Sequence, residues 1–108
     1  MKTIVVGSGI IGSSVAYHLA VRGAEVTVVT GDCPGGIATT ASFAWINAAP
    51  GNSRSYFEFR LKAMLDWHRL QHELDGALPV NWNGSLWWED DMETVEEKTW
   101  ESTSWGYP

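Results

Sequence analysis

The chain has 108 residues, of which 44% are hydrophobic and 19% are charged, proportions typical of a globular protein and not of a disordered one. This length is enough for one small domain and too short for two ordinary ones. A formal net charge of −6 argues against nucleic acid or an anionic membrane as a partner. The only cysteine, Cys33, excludes an intrachain disulfide. The first residues form neither a secretory signal nor a membrane span, so a cytoplasmic protein is expected.

Residues 4–12 are a short apolar run that breaks into three glycines with the spacing G-x-G-x-x-G. Gly7 allows a sharp turn out of a strand, Gly9 leaves no side chain between the backbone and a pyrophosphate, and Gly12 allows the next helix to pack closely on the strand. Phosphates would lie at the N-terminus of that helix, where unpaired N–H groups and the helix dipole favour an anion. The spacing predicts a dinucleotide-binding turn.

The residues on either side of the turn support this prediction. Residues 2–6 and 25–30 are rich in β-branched side chains, as expected of parallel strands that are covered on both faces. The segment between them has a helical pattern that ends at Arg22 and Gly23. Together they predict an α/β fold with a Rossmann-like βαβ unit. The apolar residues that recur at four-residue steps in the helix are Ile11, Val15 and Leu19.

In dinucleotide folds an acidic residue about twenty positions after the glycines usually holds the ribose hydroxyls. Here that place is taken by Thr30, with Asp32 two residues further on. Thr30 offers a hydroxyl, whereas Asp32 either reaches back to the ribose or is only part of the turn that follows. Residues 37–49 then combine small and hydroxyl side chains, which fit close approach to phosphate oxygens or a buried loop.

At this point the chain resembles the N-terminal portion of the FAD-dependent D-amino-acid oxidase-like (DAO) oxidoreductases, which include glycine and sarcosine oxidases and D-amino-acid dehydrogenases. The glycine motif is shared with many nucleotide folds, whereas the string ASFAWINA at 41–48 is much more specific. The similarity extends through essentially the whole chain. It is carried by residues 5–12, 16–20, 23–28, 41–48, 82–86 and 105–108.

The resemblance implies FAD as the cofactor and a small amine or amino acid as the substrate. The carbon bearing the amino group would give a hydride to the flavin, and the imine formed would be hydrolysed. Thr30 stands where the family has its usual acid, and no catalytic residue is assigned. By the resemblance, the pyrophosphate is lined by Gly7, Gly9, Ile10, Ile11 and Gly12, and the phosphates or ribityl chain are approached by Thr40, Ala41 and Ser42.

Three segments are expected: a FAD-binding unit at 1–50, a long helix at 51–78, and the start of a substrate domain at 79–108. Ser55 and Glu58 have the spacing of a capping box at the start of the helix. Two apolar stripes on this helix predict burial on two sides. The stripes are Tyr56, Phe59, Ala63, Trp67, Leu70 and Leu74, and Leu61, Met64 and Leu65.

His68 and His72 have metal-ligand spacing, but the glutamate of H-E-x-x-H and a third ligand are missing, so solvated or core histidines are expected and no metal. Residues 80–88 are predicted to form a short hairpin about an Asn83-Gly84 turn. The acidic run that follows is interpreted as a solvated face with acids at a helix N-terminus. The run consists of Glu89, Asp90, Asp91, Glu93, Glu96 and Glu97.

All seven tryptophans follow the βαβ unit, and each is expected to bury on the order of 150–250 Å². No further strand of the first kind follows residue 30 to cover the sheet. We therefore expect the N-terminal part of a longer flavoprotein, as a truncated product, a fragment or a subunit, with a partner chain or oligomer covering the tryptophan-rich surface.

Two other functions fit parts of the pattern. A neutral Thr30 accommodates the 2′-phosphate of an NAD(P)-binding domain, although no arginine stands near it in sequence. A non-catalytic remnant or interaction module that keeps the fold without the ligand would expose its tryptophan-rich surface.

Overall fold

The computed structural model describes residues 1–31, 34–49 and 51–107. These residues fall into two compact units, Met1–Trp45 and Ile46–Pro108, and each is described by itself. The elements within the described residues are the strands β1 (Lys2–Val6) and β2 (Glu25–Val29), and the helices α1 (Ile10–Val21), α2 (Ile37–Thr40), α3 (Arg54–Glu73) and α4 (Met92–Ser104).

The first unit is the predicted βαβ arrangement. β1 and β2 pair in parallel with the register Lys2↔Glu25 through Val6↔Val29. The helix between them ends as predicted, since Gly23 has a φ of 83° and the Arg22 guanidinium donates to the His18 carbonyl at 2.9 Å. This α/β fold of two parallel strands plus helices confirms the predicted fold class.

The apolar residues of α1 do not all face the sheet. Ala16 is the residue that α1 buries, whereas Ile11 is 78% exposed and Val15 is 46% exposed. α1 carries no Asp, Glu, Lys or Arg, and a helix that is apolar on all sides is typical of a protein interior. On β1, Ile4 and Val6 are also exposed. The first unit therefore presents apolar surface on both its sheet and its helix.

The second unit is built on α3. Its only buried aromatic residue among those described is Phe57, which is 2% exposed and belongs to neither predicted stripe. The Phe57 ring lies 5.3 Å from the Trp105 ring and 6.1 Å from the Tyr107 ring, centroid to centroid. Exposed Tyr56 and Phe59, from the first predicted stripe, stack on each other at 6.5 Å. Of the nine residues in the two predicted stripes, Tyr56, Phe59 and Leu65 are exposed and the other six are half-buried.

The predicted capping box at the start of α3 is wrong, because the helix begins two residues earlier than Ser55 would place it. The N-cap is Ser53 and the first helical residue is Arg54. Glu58 does not reach back to a cap, because its carboxylate pairs with Arg54 at 3.1 Å. Ser55 lies inside the helix, with its hydroxyl 3.2 Å from that of Ser53. An ion pair one helical turn apart has replaced the capping interaction.

The predicted hairpin at residues 80–88 is absent, and side chains of α3 contact this part of the chain instead. The Gln71 amide donates to the carbonyls of Leu78 and Val80 at 3.1 and 3.2 Å. The Trp82 indole N–H donates to Gln71 Oε1 at 2.8 Å, and its ring stacks on His68 with 3.7 Å between centroids. Gly84 has a φ of 74°, but residues 81–89 form neither a hydrogen-bonded turn nor a strand.

α4 begins within the acidic run, as expected from the prediction that some of these acids lie at the N-terminus of a helix. Asp91 is its N-cap, and the Asp91 carboxylate accepts from the Thr94 N–H at 2.8 Å. Hydrogen bonds from Thr94, first from its side chain and then from its backbone, lower the pKa of Asp91. Because the folded-state pKa is depressed, the cap is complete above the ordinary aspartate pKa and is lost as the pH falls through the lower value.

We therefore expect acidification below the ordinary range of an aspartate to fray the first turn of α4. Asp91→Asn should remove this pH dependence while keeping a side-chain oxygen that accepts from the Thr94 N–H. NMR chemical shifts of the Thr94 amide, followed from neutral to acid pH in both proteins, measure the effect. An identical pH profile in the two proteins would contradict the assignment of the cap to the Asp91 carboxylate.

Candidate cofactor site

The glycine turn joins β1 to α1 by backbone contacts alone. Gly7 has a φ of 98°, and its N–H donates to the Val29 carbonyl at 2.7 Å, which closes the end of β1 onto β2. α1 then begins so close to the turn that a Cβ on Gly12 would lie 2.0 Å from the Gly7 carbonyl oxygen. Gly7 and Gly12 therefore have the structural roles that the spacing predicts.

The groups that could bind a ligand are the first N–H groups of α1. The Ile10 N–H donates to the Thr39 hydroxyl at 3.0 Å, and the Ser13 N–H donates to the Gly9 carbonyl at 2.9 Å. The N–H groups of Ile11 and Gly12 have no acceptor among the described residues. Gly9, the N-cap, contributes no side chain that caps the helix. Two unpaired donors at the positive end of a helix dipole fit an anion.

Residues 35–39 form a second wall of the site, which the spacing of the glycine motif does not predict. The Gly35 N–H donates to the Ser8 carbonyl and hydroxyl, both at 3.2 Å. Gly36 has a φ of 67°, and a Cβ there would lie 2.9 Å from Gly9 Cα. Thr39 follows on α2 and is the residue that reaches Ile10. The adjacent pair Gly35-Gly36 is the sequence signal that could have indicated this close backbone approach.

Thr40, Ala41 and Ser42, which the resemblance assigns to the phosphates or ribityl chain, come directly after Thr39. The Thr40 hydroxyl lies within hydrogen-bonding distance of the Gly36 and Ile37 carbonyls, at 2.9 and 3.0 Å. Ala41 is the C-cap of α2. The Ser42 hydroxyl accepts from the Ala44 N–H at 3.0 Å. The Thr40 and Ser42 hydroxyls thus contact nearby backbone groups. Among the hydroxyls of residues 39–42, that of Thr39 is the one that contacts the start of α1.

Thr30 lies beside the glycine turn at the end of β2. The Ser8 hydroxyl donates to Thr30 Oγ1 at 2.9 Å while it accepts from the Gly35 N–H. The Thr30 hydroxyl hydrogen therefore remains available to a ligand oxygen. Asp32, the other candidate for the ribose position, lies outside the described residues.

The described residues of the site carry no ionisable side chain. Residues 7–13, 30 and 35–42 contain no Asp, Glu, His, Cys, Tyr, Lys or Arg. An anion would be held by backbone N–H groups and hydroxyls, and these residues include no general acid or base. Such groups are suited to binding and orienting an anion and not to transferring protons.

Two other sequence features have structural roles. His68 lies against Trp82, as described above, and within the described residues no group of three or more His, Cys, Asp or Glu side chains is placed to hold a metal ion. Among the same residues, no helix combines the length and the apolar composition that crossing a bilayer requires.

Comparisons with known proteins agree with this geometry. The family model described as FAD dependent oxidoreductase matches residues 2–108. A curated protein described as glycine oxidase, from Bacillus licheniformis, is 39% identical over 77 residues, covering 67% of this chain. The matched stretch is 20% of the length of that relative, so this chain spans only a small part of it. No solved structure matches.

Proposed function

Because this chain belongs to the FAD dependent oxidoreductase (DAO) family, we propose that its βαβ unit binds the pyrophosphate of FAD and that the whole enzyme oxidises an amine or amino acid. The observation that carries the first part is the pair of N–H groups of Ile11 and Gly12 that have no acceptor among the described residues, next to Gly9, which has no side chain. FAD is the family's cofactor, and a diphosphate is the anion that this donor set suits.

Each residue of the site has a definite task in this proposal. Ile11 and Gly12 donate to pyrophosphate oxygens, and Thr39 holds the Ile10 N–H so that the start of α1 stays in position. Thr30, oriented by the Ser8 hydroxyl, donates to the ribose in place of the usual acid. A neutral hydroxyl makes a weaker hydrogen bond to a ribose than a carboxylate does, so the pyrophosphate contacts carry the larger share of the affinity.

FAD, when bound, supplies the oxidant that accepts a hydride from the carbon bearing the amino group. The described residues of the site bind and orient the cofactor and hold no proton-transferring group, so they supply binding and not turnover. The similarity to a protein described as glycine oxidase supports a small amino acid as the substrate. We further propose that the 108-residue chain alone does not turn over such a substrate.

The test is Gly9→Ala. Gly9 has a φ of −67°, which alanine adopts without strain, and the new Cβ would lie 3.3 Å from the Thr39 hydroxyl oxygen, which needs to shift by only a few tenths of an ångström and so can keep its bond from the Ile10 N–H. The variant should therefore remain folded, while its methyl group occupies space that the proposal assigns to the pyrophosphate. We expect FAD affinity to fall by roughly tenfold or more, a loss of about 1.4 kcal/mol. Equilibrium dialysis with the visible flavin spectrum measures it.

Gly31→Ala is the matched control, because a Cβ there meets nothing within 4 Å and its φ is not positive. The cofactor proposal would be contradicted by unchanged FAD affinity in Gly9→Ala, or by no FAD binding in the unmodified chain. Titration with NAD⁺ and NADP⁺ in the same cell separates a nicotinamide site from a flavin site. Amine-dependent hydrogen peroxide production by the purified chain would overturn the proposal that it is inactive alone.

A further inference from the structure

The described residues at the ribose position form a hydrogen-bond chain that runs in one direction. The Gly35 N–H donates to the Ser8 hydroxyl at 3.2 Å, and the Ser8 hydroxyl donates to Thr30 Oγ1 at 2.9 Å. A backbone N–H can only donate, and Ser8 gives its single hydroxyl hydrogen to Thr30. The hydrogen of the Thr30 hydroxyl is the one left for a ligand, so Thr30 faces that ligand as a donor.

The Ser8 backbone is held in place as well. Its carbonyl accepts from the Gly35 N–H at 3.2 Å and from the Ser13 hydroxyl at 3.1 Å. Ser8 therefore joins three parts of the site, which are the start of α1, the end of β2 and the wall formed by residues 35–39. Hydrogen bonds in a chain polarise one another, so the donor character of Thr30 depends on Ser8.

The acid that usually occupies the ribose position has the opposite character. A carboxylate only accepts hydrogen bonds, so it binds the hydroxyl groups of a ribose and repels a phosphate. A hydroxyl that donates can bond the oxygen of a ribose hydroxyl or the oxygen of a phosphate, because both are acceptors. With Thr30 in place of the acid, the charge that distinguishes these two groups is missing from this position.

The chain directly after Thr30 leaves room for a larger group. Gly31 is exposed, and a Cβ built on it would meet no atom within 4 Å. The Gly31 N–H has no acceptor among the described residues. Thr30 and Gly31 thus offer two neutral donors that follow each other along the chain.

We propose that Thr30 makes this site accept the adenosine diphosphate half of a dinucleotide whether its 2′ oxygen is a free hydroxyl or carries a phosphate. Thr30 is the specificity-determining residue, and Ser8 is the positioning residue that directs the Thr30 hydroxyl hydrogen towards the ligand. This selectivity rests on the proposed function, because the same site would bind the pyrophosphate. Neutral donors make weaker bonds to a phosphate than an arginine does, so the site tolerates the 2′-phosphate without preferring it.

The probes are ADP-ribose and 2′-phospho-ADP-ribose, which share the adenosine diphosphate half of FAD and differ only in the 2′ group. Calorimetric titration of the full chain should give dissociation constants within about threefold of each other. Thr30→Glu should weaken 2′-phospho-ADP-ribose roughly tenfold or more relative to ADP-ribose, because like charges then meet. Partial unfolding would weaken both ligands alike, so it cannot produce this gain of discrimination.

Ser8→Ala tests the positioning role. Without the Ser8 hydroxyl, the Thr30 hydroxyl can turn its hydrogen away from the ligand, so both probes should bind more weakly and their ratio should stay the same. Ser8→Thr keeps a hydroxyl at this position and should restore the affinity of both. Equal losses in Ser8→Ala and Ser8→Thr would contradict the positioning role.

Thr99→Glu is the matched control for Thr30→Glu, because it adds the same charge at an exposed position on α4, and the ratio should not change. The proposal is overturned if the unmodified chain excludes 2′-phospho-ADP-ribose by roughly tenfold or more, or if Thr30→Glu leaves the ratio unchanged. Relief of such an exclusion by Asp32→Asn would give the ribose position to Asp32 instead. Failure of both probes to bind the unmodified chain would contradict the cofactor proposal and, with it, the selectivity.

Discussion

Gly12→Ala is expected to abolish both the folded βαβ unit and FAD binding. A Cβ at this position would lie 2.0 Å from the Gly7 carbonyl oxygen and 2.9 Å from the Gly7 carbonyl carbon. Both are backbone atoms, so no side-chain rotation relieves the overlap, and α1 must move away from β1. Overpacking of this kind costs about 1–3 kcal/mol or more, which is large for so small a unit.

Amide hydrogen exchange at β1 measures the loss, because the hydrogen bonds between β1 and β2 protect these amides only while the unit is folded. Gly31→Ala is again the control, since its Cβ has open space. Comparison with Gly9→Ala separates two roles of glycine in one motif. Gly12→Ala should lose the fold, whereas Gly9→Ala should lose only the ligand. Protected β1 amides in Gly12→Ala would show that the close packing of α1 on the turn is not required.

Phe57→Ala is expected to unfold the second unit. The Phe57 side chain is 2% exposed and lies against the rings of Trp105 and Tyr107, so its removal leaves a cavity beside these two rings. Such a truncation costs about 3–5 kcal/mol. A hydrophobic core of this size rarely supplies more than about 3–5 kcal/mol, so the loss is comparable to the entire stability.

The control is Phe59→Ala, the same substitution on the same helix at a side chain that is 68% exposed. It should change the free energy of unfolding by no more than about 0.5 kcal/mol. Urea unfolding, followed by the far-ultraviolet circular dichroism of the helices, compares the two variants. Equal destabilisation would place the core elsewhere, whereas a selective loss in Phe57→Ala would establish the contact with Trp105 and Tyr107 as the core.

The errors of sequence interpretation in the second unit have a common origin. The spacing of apolar residues predicts that α3 is helical but not which side is covered, so Phe57 belongs to neither predicted stripe and yet is the buried ring. The Asn83-Gly84 pair predicts a hairpin turn, and of that turn only the positive φ of Gly84 is present. No strand forms on either side, and Gln71 instead bonds the carbonyls of Leu78 and Val80, a contact that no local pattern encodes.

The glycine turn, the βαβ order and the end of α1 at Gly23 follow from the sequence itself, because each depends on the backbone freedom of single residues or on short periodic patterns. The tertiary structure decided which hydroxyl reaches the start of α1, and it is Thr39, 29 residues away along the chain. It also brought Gly36 against Gly9 and Ser8 against Thr30. Contacts between distant residues depend on how whole elements pack, and that packing is settled by the sum of many weak interactions that no single motif records.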